Sequence, residues 1–142
     1  MSVMSERPPL SPVIGLLTVA AIWETRLAEK LRGLGISTRK YGLLGHIDAT
    51  PGISFSELAR RSSITVQSAH TAVRTLVDDG LVEDATRHAG TASDLRVTAH
   101  GAEVLAVAHA RLAELDAWLA DDFPELAVVL AASRAAVLRP PA

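Results

Sequence analysis

Residues 60–75 carry Arg60, Arg61 and Arg74 and no carboxylate, a local net charge of +3 in a chain whose formal net charge is −2. Between the arginines stand Thr65, Val66, Gln67, Ser68, His70 and Thr71. These side-chain types suit the reading of a nucleic-acid duplex. A Gln amide pairs bidentately with adenine, an Arg guanidinium with guanine or a phosphate, and a Val or Thr methyl group meets the thymine methyl. The intervening Ala69, Ala72, Val73, Leu76 and Val77 recur at i, i+3, i+4, i+7 and i+8, the stripe of an amphipathic helix. Val66, Gln67, Ser68, His70, Thr71, Arg74 and Thr75 therefore share the opposite, outward face. An ordinary solvated helix face has the same composition, so the elements around it decide between the two readings.

Other chemistry is poorly provided for. The chain has no cysteine, which excludes disulfides, thiolate metal sites, cysteine nucleophiles and thiol redox sensing. It contains no G-x-S-x-G, no P-loop and no H-E-x-x-H. The five histidines (His46, His70, His88, His100 and His109) are scattered. His100 and His109 fall on one helix, but nine residues at about 100° each place them about 180° apart. Neither a metal nor another cofactor is expected. Asp78-Asp79 and Asp121-Asp122 sit at helix ends as solvated carboxylates, and no enzyme is expected. With 14 Lys and Arg against 16 Asp and Glu, any nucleic-acid surface has to be local rather than a bulk positive coat. The apolar run 13–23 falls well short of the roughly 20 residues that span a bilayer. It continues into Glu24, Arg26, Glu29, Lys30 and Arg32, as a folded helix does, so no membrane association and a cytoplasmic location are expected.

At 142 residues and 49% hydrophobic content, the chain has the size of one domain with a real core. Residues 1–11, with Pro8 and Pro9, read as a flexible arm. Ser11 followed by Pro12 starts a helix, which Gly33 and Gly35 stop after residue 34. Over 13–23 that helix is apolar nearly all round, so a partner subunit is its expected cover; residues 128–137 offer a second apolar surface. Ser37 or Thr38 caps a helix to residue 49, with Tyr41, Leu44 and Ile47 inward. After a turn at 50–52, Ser54-x-x-Glu57 has capping-box spacing and opens a short helix ending at 62–63, with Leu58 and Ala59 inward. Thr65 caps the striped helix, and Gly80 supplies its left-handed stop. Strands at 81–86 and 94–98 flank a polar loop at 87–93. A long helix then runs over 99–121, with Val104, Leu105, Leu112, Leu115 and Leu119 as its stripe. Phe123-Pro124 breaks it, and a last helix occupies 125–138.

Four segments together carry a family signature: Ser56-Glu57-Leu58-Ala59, the Thr65 cap, Leu76-Val77-Asp78-Asp79-Gly80-Leu81-Val82 and Val97-Thr98-Ala99-His100-Gly101. In this order and spacing the chain resembles the MarR family of bacterial winged-helix transcription regulators from about residue 12 to 138. The resemblance implies a mainly α fold with a small β-hairpin wing, a winged helix-turn-helix domain over 12–142. Its dimerisation helices would be 12–34 and 100–138. The DNA-binding lobe would be 37–98, with the helix-turn-helix at about 54–80 and the wing at 81–98.

It further implies a homodimeric repressor that binds a pseudo-palindromic double-stranded operator. Thr65, Val66, Gln67, Ser68, His70, Thr71, Arg74, Arg60 and Arg61 would face DNA. A small aromatic or phenolic effector is also implied, for which Trp23, Arg26, Tyr41 and His46 are the candidates. The wing departs from the family. Its usual Asp-x-Arg pattern falls on Ala89, Gly90 and Thr91, leaving Arg87, His88 or Arg96 to take the minor-groove role. Residues 54–96 carry five basic and six acidic side chains, so a modest, salt-sensitive DNA affinity is expected. The weakly charged wing also suits the alternative, a winged-helix module contacting proteins without reading DNA.

Overall fold

The computed structural model describes residues 11–86 and 93–137. In chain order these form α1 (Pro12–Leu31), α2 (Thr38–Ala49), α3 (Phe55–Arg61), α4 (Val66–Asp78), β1 (Val82–Asp84), β2 (Leu95–Val97), α5 (Ala99–Asp122) and α6 (Pro124–Val137). The strands pair antiparallel in the register Val82↔Val97, Glu83↔Arg96 and Asp84↔Leu95. The expected elements are all present; the strands are shorter than 81–86 and 94–98. Arg87, His88 and the tip at 89–91 lie outside the described residues, as do the arm at 1–10 and the end of the last helix at 138.

Hydroxyl side chains set where the helices begin. Ser11, Ser37, Ser54, Thr65 and Thr98 each accept a backbone N–H from the first turn of α1, α2, α3, α4 and α5 respectively. Each satisfies a donor that has no carbonyl partner within its helix. At its other end α1 stops at Leu31, three residues before the expected limit. There the Arg111 guanidinium donates to the carbonyls of Lys30 (2.9 Å) and Arg32 (3.1 Å), closing the helix end from α5.

The ends of α3 and α4 share one geometry. The N–H of Ile64 bonds the carbonyl of Ala59, and that of Leu81 bonds Leu76. One residue earlier, Ser63 bonds Arg60 and Gly80 bonds Val77. This is the Schellman closure, with the left-handed position filled by Ser63 (φ 54°) in one case and Gly80 (φ 74°) in the other. The first of these closures makes the tight turn between the two helices of the helix-turn-helix.

The core gathers Leu31, Leu43, Leu44, Ile47, Leu58, Val73, Leu76, Val82, Leu95, Leu105 and Ala108. It lies among α2, α3, α4, the hairpin and the first half of α5, with the end of α1 closing one side. Leu112 and Leu119 are only half-buried. Val77, expected inward, is 37% exposed. At i+8 it stands about 80° round the helix from Ala69, at the margin of the stripe that Ala69, Val73 and Leu76 bury. The hairpin is pinned to α5 at Thr98, whose hydroxyl donates to the carbonyl of Gly80 and accepts from the N–H of Gly101. A Cβ on Gly101 would stand 2.1 Å from the carbonyl oxygen of Leu81, so the Thr-x-x-Gly spacing is a close-packing requirement of the fold. Among the described residues no helix is long and apolar enough to cross a membrane.

Candidate nucleic-acid interface

The stripe on α4 is buried at Ala69, Val73 and Leu76, and this rotation sets the opposite face outward. Thr65, Val66, Gln67, His70, Thr71, Arg74 and Thr75 are exposed and Ser68 is half-buried. The Thr65 hydroxyl accepts the Ser68 N–H and donates to the Ser68 hydroxyl, so both are occupied in holding the helix start. Thr71 and Thr75 donate their hydroxyls to the carbonyls of Gln67 (3.1 Å) and Thr71 (3.2 Å). This locks each rotamer and leaves the Thr71 methyl available to an apolar group such as a thymine methyl.

A groove lies on either side of α4. One, of about 430 Å3, is lined by Arg39, Thr65, Gln67, Ser68, Thr71 and Ala72. The other is lined by Phe55, His70, Val73, Arg74, Val77 and Asp84. His70 stacks on Phe55 with ring centroids 3.8 Å apart and planes at 17°, so its imidazole is fixed against α3 beside Arg74.

The arginines divide into two groups. Glu57 accepts from Arg60 at 2.9 and 2.6 Å and from Arg61 at 2.8 Å. Hydrogen bonds from Arg60 and then Arg61 hold the Glu57 carboxyl down at about 2, and Arg61 also donates to Thr50. Glu57 does accept no more than half of the capping-box role: its N–H meets Ser54, while its carboxylate is turned to the arginines. The +3 of residues 60–75 came from a window opening just past this carboxylate; with Glu57 included, three arginines minus one glutamate leave +2. Arg96 is likewise bound to Asp94, 2.9 Å away and two residues back on the same side of the chain. Among the described residues of this face, Arg39 and Arg74 have no carboxylate partner.

Arg39 is the residue that sequence reading missed. It is 26 residues from Thr65, and only the tertiary fold brings the first turns of α2 and α4 to one groove. Its sole signal in the sequence is a position just past a helix cap.

The four effector candidates do not converge on one cavity. Trp23 and Arg26 lie together: the guanidinium stands 4.6 Å from the Trp23 ring centroid and 4.3 Å from that of Trp118. They line a cavity of about 210 Å3 with Val19, Ile22, Phe123 and Leu126. Tyr41 instead reaches across from α2 to α5, its hydroxyl 2.6 Å from His109 Nδ1. Burial first, and the Asp116 charge second, raise its pKa, so the phenol stays protonated in this bond. His46 lines a different groove, with Thr38 and Arg39. Leu43, Leu44 and Ile47 claim the buried face of α2, and Tyr41 and His46 fall in different places on that helix, one bonded to α5 and the other in a groove beside Glu24 of α1. Among the described residues no group of three or more His, Asp or Glu side chains is placed to hold a metal ion.

A sequence model of the MarR family matches residues 34–90. The HTH-type transcriptional repressor Rv2887 of Mycobacterium tuberculosis is 31% identical over 103 residues, 72% of this chain and 74% of that protein. The chain belongs to the MarR family. It is a DNA-binding transcription regulator with a winged-helix fold, and members of the MarR family are not enzymes. The solved MarR-family structure of Rv2887 in complex with DNA superposes with a TM-score of 0.67 at 26% identity, covering 80% of this chain and 85% of that one. The structure of Rv2887 in complex with salicylic acid gives 0.64 at 28% identity, covering 87% and 92%.

Proposed function

We propose that this MarR-family protein is a homodimeric repressor that reads a pseudo-palindromic operator through α4 and responds to a small aromatic acid. The observation that carries the reading is the division of α4: Ala69, Val73 and Leu76 are buried while Gln67, Thr71 and Arg74 are presented together to solvent. In a helix-turn-helix, the second helix enters the major groove and its outward side chains meet base edges. A dimer supplies two such helices, which is why the operator has two halves. As a reader of chromosomal DNA the protein works in the cytoplasm.

The effector site rests on the cavity at Trp23, Arg26 and Phe123. An aromatic ring packs there against indole and phenyl faces, and its carboxylate meets the Arg26 guanidinium. The salicylic acid complex of the relative Rv2887 supports this ligand class.

Gel-shift and footprinting on the DNA upstream of the protein's own gene test the reading. Gln67→Ala and Arg74→Ala each remove a base-directed group and should cost on the order of 1–3 kcal/mol of operator affinity with an unchanged melting curve. Added salicylate should weaken the parent complex, and less so with Arg26→Ala. If both α4 variants bind the operator like the parent, α4 is not the reading helix, and the protein-contact alternative takes its place.

A further inference from the structure

Arg39 sits on the first turn of α2, off the reading helix, yet it lines one groove with Thr65, Gln67, Ser68 and Thr71 at the start of α4. Its side chain is exposed, and among the described residues it has no carboxylate partner. It also borders the groove of Glu24 and His46 without forming a salt bridge to Glu24. Two features fix where it stands relative to α4. Leu43, Leu44 and Ile47 root α2 in the core, and the next residue, Lys40, holds Asp79 at the end of α4 at 2.8 Å. The other cations near the α3–α4 turn, Arg60 and Arg61, are occupied by Glu57.

We propose that Arg39 is a phosphate-contacting residue that grips the operator backbone at the edge of the groove α4 enters. This rests on the reading of α4 as the DNA-facing helix. A guanidinium has the planar fork that fits two phosphate oxygens. Contacts of this kind fix the register of a protein on the duplex without reading its sequence. Flanking the start of α4 from another helix, Arg39 sets how far and at what angle α4 sits in the major groove, and Gln67 and Thr71 then meet the bases.

The test measures affinity for the footprinted operator and for an unrelated duplex across a salt series. Parent, Arg39→Ala, Arg39→Lys and Gln67→Ala are compared, each first shown to melt like the parent. Arg39→Ala should weaken both duplexes by a similar factor. It should also lower the slope of log K against log salt by about 0.9 per subunit, the value of one lost phosphate contact. Arg39→Lys should keep the slope, and Gln67→Ala should weaken the operator alone. A slope unchanged by Arg39→Ala, with the parent still reading its operator, overturns the assignment of Arg39 and leaves the reading of α4 intact. Loss confined to the operator also overturns it, making Arg39 a base reader. A parent that binds neither duplex overturns both.

Discussion

The lobe of α2, α3, α4 and the hairpin differs from the base of α1, α5 and α6 in where its apolar side chains end up. In the lobe they close on one another within a single chain: Leu44, Ile47, Leu58, Leu76 and Leu95 are all at 0% exposure. In the base, Val13, Ile14, Leu16 and Leu17 on α1 and Val128 and Val129 on α6 are all more than half exposed. Both regions have hydroxyl caps and well-formed helices, so the difference lies in packing and not in local structure. A lobe closed in this way needs no second chain to complete its core. A contiguous apolar patch such as the one on the base marks an interaction surface, and a second copy of the chain is the cover we propose for it.

The largest effect should come from placing a charge on that surface. Parent protein at low micromolar concentration should scatter light as a particle of about twice the 15.0 kDa chain. Leu17→Glu or Val128→Glu would bury an unpaired carboxylate in each protomer, at a cost of about 3–5 kcal/mol. Either variant should shift the mass toward one chain and abolish tight operator binding, while the lobe keeps its helical signal. A parent that is a stable monomer would break the comparison, since the base would then be finished without a partner.

Within the lobe, the sharpest test is Gly101→Ala. The added methyl meets the Leu81 carbonyl and Val97 where α5 leaves the hairpin, and neither can move without displacing the wing base. Overpacking of this kind costs about 1–3 kcal/mol, sometimes more, read as a lower melting temperature. The particle mass should not change, because the damage falls in the lobe. A variant as stable as the parent would mean the α5–hairpin junction relaxes freely.

These two regions were also unequally legible in the sequence. Caps, stops and stripes reported on local hydrogen bonding and periodicity, so every described helix was found close to its observed limits, and the outward face of α4 followed from Ala69, Val73 and Leu76. The Thr98-x-x-Gly101 spacing was read as a family mark, and only the structure shows it to be a junction. Most of what stayed hidden depends on contacts between distant residues. The pairing of Arg60 and Arg61 with Glu57 is local in sequence, yet the capping-box spacing suggested a different task for that carboxylate. The groove shared by Arg39 and Gln67, the bond from Tyr41 to His109 and the stacking of Arg26 on Trp23 and Trp118 all require the helices to be packed first. Four effector candidates chosen by type therefore resolved into separate places, with only Trp23 and Arg26 side by side.

The smallest effect is expected at Glu57, where the lobe's stability and its charge for DNA pull in opposite directions. The carboxyl's ordinary pKa of 4.5 is lowered to about 2 by Arg60 and Arg61. A carboxylate with a depressed folded-state pKa adds stability that is fully present above about pH 4.5 and is lost as pH falls through about 2. Glu57→Gln should thus melt slightly below the parent at neutral pH, with the gap closing between pH 4.5 and 2. The gap should also narrow in high salt, because the cluster lies at the surface. The same variant releases two guanidiniums beside the α3–α4 turn, so operator binding should tighten and its salt slope steepen. A steeper slope would bring Arg60 and Arg61 within reach of the DNA backbone once freed. An unchanged slope would confine them to holding α3, and leave Arg39 and Arg74 as the cations this face offers.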